Sequence, residues 1–235
     1  MIQLVSRILE HLKYLLSKFI YGTVVFITFK LSVLFEPSLK IIIGASETHF
    51  PGWVVTEQFF FDVTKAESWK RNFGTRKIDN LLAEHVFEHL TVSEIICAIK
   101  HASKYLKPGG IFRIAVPDGY HPSAYMRELV KPGGLEEAAK DHKVLLNVDL
   151  MRKLVNSSHF SFVAVEYFGK NGHFVSEYTD DNGYIFRSSK NYVGRFTASD
   201  AERKKLINAV PVKTRNAFKK LNVTTTSLIV DLIKK

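Results

Sequence analysis

Two clusters of polar side chains follow apolar runs of the chain, and their residue types suit proton transfer or ligand binding. The first cluster spans residues 84–89 and holds two glutamates and two histidines. The second spans residues 118–121 and holds Asp118, Tyr120 and His121. Because an unperturbed histidine titrates near neutral pH, His85 or His121 could act as a base, and Asp118 could orient either ring.

The segments around these clusters predict that the two clusters meet. Residues 78–83 and 111–116 have the length and apolar character of buried strands. Between them we predict a helix over residues 91–106, capped by Thr91 or Ser93 and followed by the breaker Pro108-Gly109-Gly110. Such a strand–helix–strand unit needs a right-handed crossover, so its strands are parallel. Ligands bind beyond the carboxyl ends of parallel strands, which is where both clusters fall.

One motif in the first cluster points to different chemistry. His85-Val86-Phe87-Glu88-His89 matches the H-x-x-E-H pattern of zinc metalloproteases. On a helix, two histidines four residues apart can share a zinc ion while the glutamate activates a water. Here the motif directly follows an apolar strand, and a helix start is indicated only at Thr91. A zinc hydrolase therefore stays an alternative, and we assign no metal ligand from the sequence.

The beginning of the predicted sheet carries the signs of a nucleotide-like site. Residues 40–43 form a short apolar strand that enters Gly44, and residues 53–57 form a second strand that ends at Glu57. Glycine lets a ligand approach the backbone closely after the first strand. A carboxylate at the tip of the next strand can accept both hydrogen bonds from the vicinal hydroxyls of a ribose. We predict a third strand over residues 59–63.

The rest of the chain completes an alternating pattern. Residues 67–73 and 147–156 are predicted as helical, and residues 160–168 and 224–233 as strands. Residues 169–222 are rich in Asn, Asp, Gly, Ser and Lys, so we expect a lid or an inserted irregular segment there.

Several stretches in a fixed order carry a family resemblance. They read LKIIIGA at 39–45, PGW at 51–53, LLAEHVFEHL at 81–90, YLKPGGIFRIAVPD at 105–118 and DHK at 141–143. Together they resemble class I S-adenosylmethionine-dependent methyltransferases, and most closely a bacterial branch of methyltransferase-type domains. The resemblance covers about residues 39–168 and the last ten residues, and it leaves out the first 38. It implies a three-layer, Rossmann-like α/β fold whose sheet is mostly parallel with an antiparallel last strand.

The resemblance also implies a function and a set of site residues. The implied reaction is methyl transfer from S-adenosylmethionine to a small-molecule or saccharide-type acceptor. The implied cofactor contacts are Gly44, Ala45, Ser46, Glu57, Asp62, Ala83 and Glu84; the catalytic candidates are His85, Asp118 and His121; the acceptor-binding candidates are Tyr120, Asp141, His142 and Lys143.

The chain also departs from the family pattern in its first-strand loop. Ser46 and Thr48 stand where the family usually has further glycines. A protein of this fold that no longer methylates and serves for binding or as a scaffold is therefore the leading alternative to an enzyme.

The composition of the chain limits the kinds of partner and the cellular compartment that we expect. The formal net charge of +10 favours anionic partners, but no nucleic-acid-binding module is recognisable, so we do not expect nucleic acid. The single cysteine, Cys97, excludes an internal disulfide and indicates a reducing, cytoplasmic setting. Because Cys97 falls within an apolar helical run, we expect its thiol to be buried and inert.

The N-terminal residues form a separate predicted unit. Residues 1–37 have helical apolar spacing that ends at Glu36-Pro37, so we expect a helical extension followed by one domain over residues 38–235. The extension could pack on the protein or on a partner subunit, lie at the inner face of a membrane, or span it. Its uncharged run of residues 19–29 is short for a span. A homo-oligomer and a peripheral membrane contact both stay open.

Overall fold

Seven strands form one mixed sheet in the computed structural model, which describes residues 20–45, 50–135, 137–156, 159–176 and 227–235. The strands are β1 (Lys40–Ile43), β2 (Val54–Val55), β3 (Ile78–Glu84), β4 (Leu106–Pro117), β5 (Phe160–Phe168), β6 (Phe174–Ser176) and β7 (Ser227–Lys234). Their spatial order is β2-β1-β3-β4-β7-β5-β6. The pairs β2–β1, β1–β3 and β3–β4 are parallel, whereas β7 pairs antiparallel with both β4 and β5.

This arrangement confirms the predicted fold. Because β7 runs against both of its neighbours, β4 and β5 point the same way, and five of the seven strands share one direction. The last strand of the chain is inserted antiparallel between β4 and β5, and the edge strand β6 also runs antiparallel to β5. The chain therefore has a Rossmann-like α/β fold. The short edge strand β6 was not predicted, because residues 169–222 show little periodicity.

The helices are α1 (residues 20–35), α2 (Ala66–Phe73), α3 (Val92–Tyr105), α4 (Ala124–Val130) and α5 (Val148–Val155). Helix α3 begins as predicted, because Thr91 forms a capping box: the Glu94 backbone N–H donates to the Thr91 hydroxyl, and the Thr91 backbone N–H donates to the Glu94 carboxylate. Its core face is Ile95, Ala98, Ile99 and Ala102. Cys97 lies on the other face and is exposed, so the prediction of a buried thiol was wrong.

An aromatic core lies on one face of the sheet and explains a second wrong prediction. Residues 59–63 were expected to form a strand, but they form turns instead. Phe61 packs edge-to-face against Trp69 and Phe73, and Phe60 lies against Phe29 of α1. Phe60, Phe61 and Val63 are all buried in one core cluster, whereas in a strand the adjacent Phe60 and Phe61 would point to opposite faces. Aromatic packing between α1 and α2 therefore replaces the predicted edge strand.

Helix α1 belongs to this core along one stripe and exposes a second apolar stripe. Val25, Phe29 and Val33, spaced four residues apart, are buried in the main core. The exposed stripe alternates steps of four and three; its members are Ile20, Val24, Ile27, Leu31 and Leu34, each more than half exposed. Among the described residues, no helix combines the length and the apolar character needed to cross a bilayer.

The opposite face of the sheet carries a buried ion pair at its centre. Arg113 of β4 and Asp231 of β7 are register partners, and two parallel hydrogen bonds of 2.7 Å join the guanidinium to the carboxylate. Both side chains are almost wholly buried. The pair therefore ties the reversed strand to its neighbour in addition to the backbone ladder.

Candidate functional site

A cleft of about 480 Å³ opens at the carboxyl ends of β1 and β3. The Rossmann-like topology leads us to expect the ligand at this edge of the sheet, and the volume lies in the range of small-molecule sites. Of the predicted site residues, the cleft is lined by Gly44, Glu57, Asp62, His85, Asp141 and Lys143. Residues that come from four separate stretches of the sequence are thus brought into one wall.

Gly44 turns the chain at the mouth of this cleft. Its φ of +61° lies in the left-handed region that favours glycine, and a Cβ atom there would lie 3.0 Å from Cγ2 of Val86. After the turn, Ala45 is buried and its N–H donates to the carbonyl of Thr56, which holds the loop against the end of β2. The missing side chain at Gly44 therefore lets Val86 pack close to the backbone at the mouth of the cleft. Ser46 falls outside the described residues.

Glu57 follows β2 and faces the same cleft. It is half-buried, and the backbone N–H groups of Phe60 and Phe61 both donate to its carbonyl, so the chain turns sharply just beyond it. Tyr21 of α1 lies near the Glu57 carboxylate. Burial and the negative charge of Glu57 together raise the pKa of Tyr21. The N-terminal helix therefore contributes to the surroundings of the carboxylate that was predicted to bind a ribose.

Asp62 also lines the cleft, but its carboxylate already has protein partners. Oδ1 accepts hydrogen bonds from the Thr64 backbone N–H at 2.9 Å and from the Thr64 hydroxyl at 2.6 Å. Oδ2 pairs with Lys65 at 3.0 Å. Burial would raise the pKa of Asp62, but these hydrogen bonds outweigh it and hold the pKa below its usual range. Asp62 therefore stays ionised and fixes the turn that shapes this end of the cleft.

His85 has the most constrained backbone at the site. It is the only described non-glycine residue with positive φ, at 53°, and such conformations concentrate at functional sites. Its N–H continues the β3–β4 ladder by donating to the carbonyl of Ala115 at 2.9 Å. Its Nδ1 lies 3.0 Å from Oε1 of the buried Glu88, and the ring remains about one-third exposed to the cleft. Glu88 thus holds the imidazole at Nδ1, and the exposed part of the ring faces the cleft.

Ala83 and Glu84 end β3 but do not line the cleft. Ala83 is fully buried between β1 and β4. Glu84 is buried on the opposite face, and neither of its carboxylate oxygens has a hydrogen-bond partner within the described part of the chain. Burial raises the pKa of Glu84 to about 7, although the charges of His85 and Arg113 partly oppose that rise. Only the backbone atoms of Ala83 and Glu84, and not their side chains, could therefore make the predicted cofactor contact.

Asp118 and His121 lie away from the cleft, buried behind the end of β4. The Asp118 carboxylate accepts from the backbone N–H of Tyr120 at 2.8 Å and of Phe168 at 2.7 Å, so it ties β4 to β5. Burial raises the pKa of Asp118 to about 6 against the opposing effect of these bonds. His121 packs edge-to-face on Phe168, and burial, with the charge of Arg127, lowers its pKa to about 4. The structure does not bring these two catalytic candidates to the cleft.

The predicted acceptor-binding residues separate into three places. Tyr120 lines a different cavity of about 610 Å³ and donates from its hydroxyl to Asp149 at 3.0 Å. Asp141 and Lys143 line the main cleft, and the backbone N–H of Lys143 donates to the carbonyl of Glu88 at 2.7 Å. His142, between them, turns inward and is buried.

The zinc-protease alternative is not compatible with the local structure. Residues 85 and 86 form an irregular turn after β3, and only Phe87–His89 forms a single 3₁₀ turn. His85 and His89 therefore do not share one face of an α-helix, as the zinc-protease motif requires.

The cleft also contains residues that the sequence did not single out as ligand contacts. They are Gln58, Phe61, Val63, Val86 and Leu90, with His89 beside Asp141. Gln58 and Val86 lie close behind predicted strand ends, which is a signal that could have indicated them, whereas Phe61 and Val63 lie within the strand that was wrongly predicted.

Comparisons with known proteins find several methyltransferase structures that are similar to the chain at low identity. No family model matches the chain, and no curated protein does. A SAM-dependent methyltransferase from Archaeoglobus fulgidus is 9% identical with a TM-score of 0.44, over 96% of this chain and 94% of that one. A putative methyltransferase of Haloferax volcanii, solved with its Trm112 activator, is 10% identical with a TM-score of 0.43, over 87% and 88%. The magnesium protoporphyrin IX methyltransferase of Synechocystis PCC 6803, solved with bound SAH, is 10% identical with a TM-score of 0.40, over 92% and 84%.

Proposed function

We propose that the chain transfers a methyl group from S-adenosylmethionine to a hydroxylated small molecule, with saccharide-type acceptors as the class to test first. The observation that carries the proposal is that Gly44 and Glu57 line one cleft at the carboxyl edge of a methyltransferase-type sheet. A left-handed glycine after the first strand and a carboxylate after the second are the two features that a nucleoside with a free ribose needs.

The residues of the cleft fit the cofactor in size and in charge. Gly44 would let the methionine part lie against the backbone, and Glu57 would accept the two ribose hydroxyls. Asp62 would hold, by its hydrogen bonds to Thr64, the turn that lies beside the adenine. When bound, S-adenosylmethionine supplies an electrophilic methyl group on a sulfonium.

The acceptor side of the cleft is polar. His85, Asp141 and Lys143 project hydrogen-bonding and charged groups into it. Such groups match an acceptor rich in hydroxyls, which must be aligned in line with the departing sulfur and must lose a proton. His85 is the one catalytic candidate that the structure presents to the cleft, so we assign the alignment of the acceptor hydroxyl to it.

Calorimetry with S-adenosylhomocysteine and S-adenosylmethionine tests the proposal. We expect one site with micromolar affinity, weakened at least about tenfold in Glu57→Ala because two charge-assisted hydrogen bonds are lost. Glu36→Ala, at an exposed glutamate beyond α1, is the matched control and should bind like the parent. No heat with either nucleoside from a folded protein would favour the alternative, a scaffold that has lost the cofactor.

We also propose that the exposed stripe of α1 lies against an anionic membrane surface. The stripe is apolar and more than half exposed over four turns, and the chain carries a net charge of +10. Amphipathic helices on basic proteins bind such surfaces by combining apolar burial with attraction to anionic lipid.

Sedimentation with phosphatidylglycerol vesicles and with phosphatidylcholine vesicles tests this contact. We expect binding to the anionic vesicles alone, and loss of that binding in Ile27→Glu and Leu31→Glu. Ile96→Glu, at an exposed apolar position of α3, serves as the control. A dimer that Leu31→Glu dissociates, with no vesicle binding by the parent, would assign the stripe to a second copy of the chain.

A further inference from the structure

Three potential metal ligands converge beneath the wall of the cleft, and only two of them belong to the H-x-x-E-H motif. They are Glu88 and His89 from the 3₁₀ turn after β3, and His142 from the segment before α5, more than fifty residues later. One ligand atom from each lies within 4.8 Å of the others. We propose that they form a binding site for a zinc-type divalent ion that fixes one wall of the cleft.

His142 has one ring nitrogen occupied by the protein, which leaves the other for a metal. Nδ1 of His142 lies 2.7 Å from the backbone carbonyl of Val130, so it carries the proton and donates. Nδ1 of His89 lies 3.1 Å from Oδ1 of Asp141, but it is buried and has no hydrogen-bond partner in the described part of the chain, so His89 can offer a ring nitrogen to an ion. A carbonyl or a carboxylate behind the ring is the usual support of a metal-binding histidine, because it fixes the tautomer and aims Nε2 at the ion.

Glu88 supplies the third donor. Its side chain is 1% exposed; Oε1 is held by Nδ1 of His85 at 3.0 Å. Oε2 is also buried, and in the described part of the chain it has no hydrogen-bond partner. Leaving such an oxygen unsatisfied costs free energy, and coordination by a cation would remove that cost.

The backbone keeps the two contributing segments together. The N–H groups of Lys143 and Val144 both donate to the carbonyl of Glu88, so the turn carrying Glu88 and His89 is tied to the chain next to His142. The two imidazole rings meet edge to face with centroids 4.7 Å apart. Small side-chain rotations would bring the donors to the distances of about 2.0–2.2 Å that zinc takes to nitrogen and oxygen.

The donor set selects the class of ion. Two imidazoles and one carboxylate suit Zn²⁺ and its neighbours, whereas Mg²⁺ and Ca²⁺ prefer oxygen donors alone. This set differs from the H-x-x-E-H hypothesis, because His85 supports Glu88 and His142 takes its place as a ligand.

An ion there would fix the side of the cleft that we assign to the acceptor. His89 lines the cleft itself, and Asp141 and Lys143 flank His142 on both sides. Metal binding would restrict the motion of all three without touching Gly44 or Glu57. The inference is independent of methyl transfer, since it concerns binding that occurs without cofactor.

Calorimetric titration of untagged, chelator-treated protein with ZnCl₂ and with MgCl₂ tests the site, alongside cobalt absorption as a spectroscopic probe. We expect one zinc per chain and no magnesium binding at the same concentrations. His142→Ala, His89→Ala and Glu88→Gln should each weaken zinc binding by at least about tenfold, while Cys97→Ser and the exposed-histidine variant His159→Ala should leave it unchanged.

A variant that is less stable than the parent could lose zinc binding because it unfolds. Thermal unfolding with and without zinc separates this effect from the loss of a metal ligand. Zinc should raise the melting temperature of the parent and of His159→Ala, but not that of His142→Ala. Absence of zinc binding by the parent, or zinc binding that His142→Ala and His89→Ala leave intact, would overturn the proposal.

Discussion

A Cβ atom on Gly44 would lie 3.0 Å from Cγ2 of Val86, so the turn after β1 and the turn after β3 meet with no space for a side chain between them. Gly44 also has a φ of +61°, which an L-residue adopts only with strain. The two turns that line the cleft thus depend on each other.

This contact predicts the effect of Gly44→Ala. The left-handed backbone should cost about 1–2 kcal/mol of unfolding free energy, and displacement of Val86 should weaken S-adenosylhomocysteine binding at least about tenfold. Gly109→Ala is the matched control, because Gly109 also has positive φ but would meet nothing within 4 Å. We expect a similar loss of stability there with unchanged affinity, as measured by urea unfolding and calorimetry. Equal affinities of the two variants would argue against a ligand at Gly44.

Glu84 predicts a pH dependence of stability. Burial raises its pKa from 4.5 to about 7, so the folded state keeps a proton that the unfolded state has lost. The free energy of unfolding should therefore fall as pH rises from about 4.5 to about 7, by an amount on the order of 3 kcal/mol.

The variant Glu84→Gln isolates this contribution, because Asp118 titrates in an overlapping range. Denaturant unfolding at several pH values should show the variant close to the parent at pH 4 and more stable than the parent above pH 7. A constant difference between the two proteins at all pH values would show that Glu84 does not titrate in this range.

The parts of the fold that the sequence predicted are those set by local pattern. The strand at residues 40–43 and the start of β3 at Ile78 agree with the structure, and Thr91 caps α3 as expected. These features depend on apolar runs, breakers and caps that lie within a few residues of one another. In the cleft, Gly44, Glu57 and His85 were predicted for the same reason: each directly follows a recognisable strand.

The parts that were missed depend on distant contacts. The strand expected at residues 59–63 fails because Phe60 and Phe61 pack against rings of α1 and α2. Asp118 has the residue type of a catalytic group, yet its partner is the backbone of Phe168, fifty residues away. The grouping of His142 with Glu88 likewise arises only when the chain returns before α5. No local pattern carries that information.

The buried pair of Arg113 and Asp231 predicts a large and non-additive effect on stability. Asp231→Asn should lower the free energy of unfolding by about 3–5 kcal/mol, because it removes the carboxylate that pairs with the buried guanidinium. The double variant Arg113→Met/Asp231→Leu should recover most of that loss, since no buried charge remains. Guanidinium unfolding of the single and double variants measures the coupling. A loss under about 1 kcal/mol in the single variant would mean that water reaches the pair.

Asp118 supports a last prediction, which distinguishes a structural from a ligand-binding role. Its two carboxylate oxygens accept from the backbone N–H groups of Tyr120 and Phe168. In Asp118→Asn the amide offers a single acceptor oxygen, and its NH₂ group would face one of those donors. We expect a loss of about 1–3 kcal/mol in unfolding free energy, with S-adenosylhomocysteine affinity unchanged in the folded protein. Urea unfolding and calorimetry on the same samples measure the two quantities. Weakened affinity with unchanged stability would contradict this structural role and would indicate that Asp118 binds the ligand. The structural role predicts lower stability with unchanged affinity.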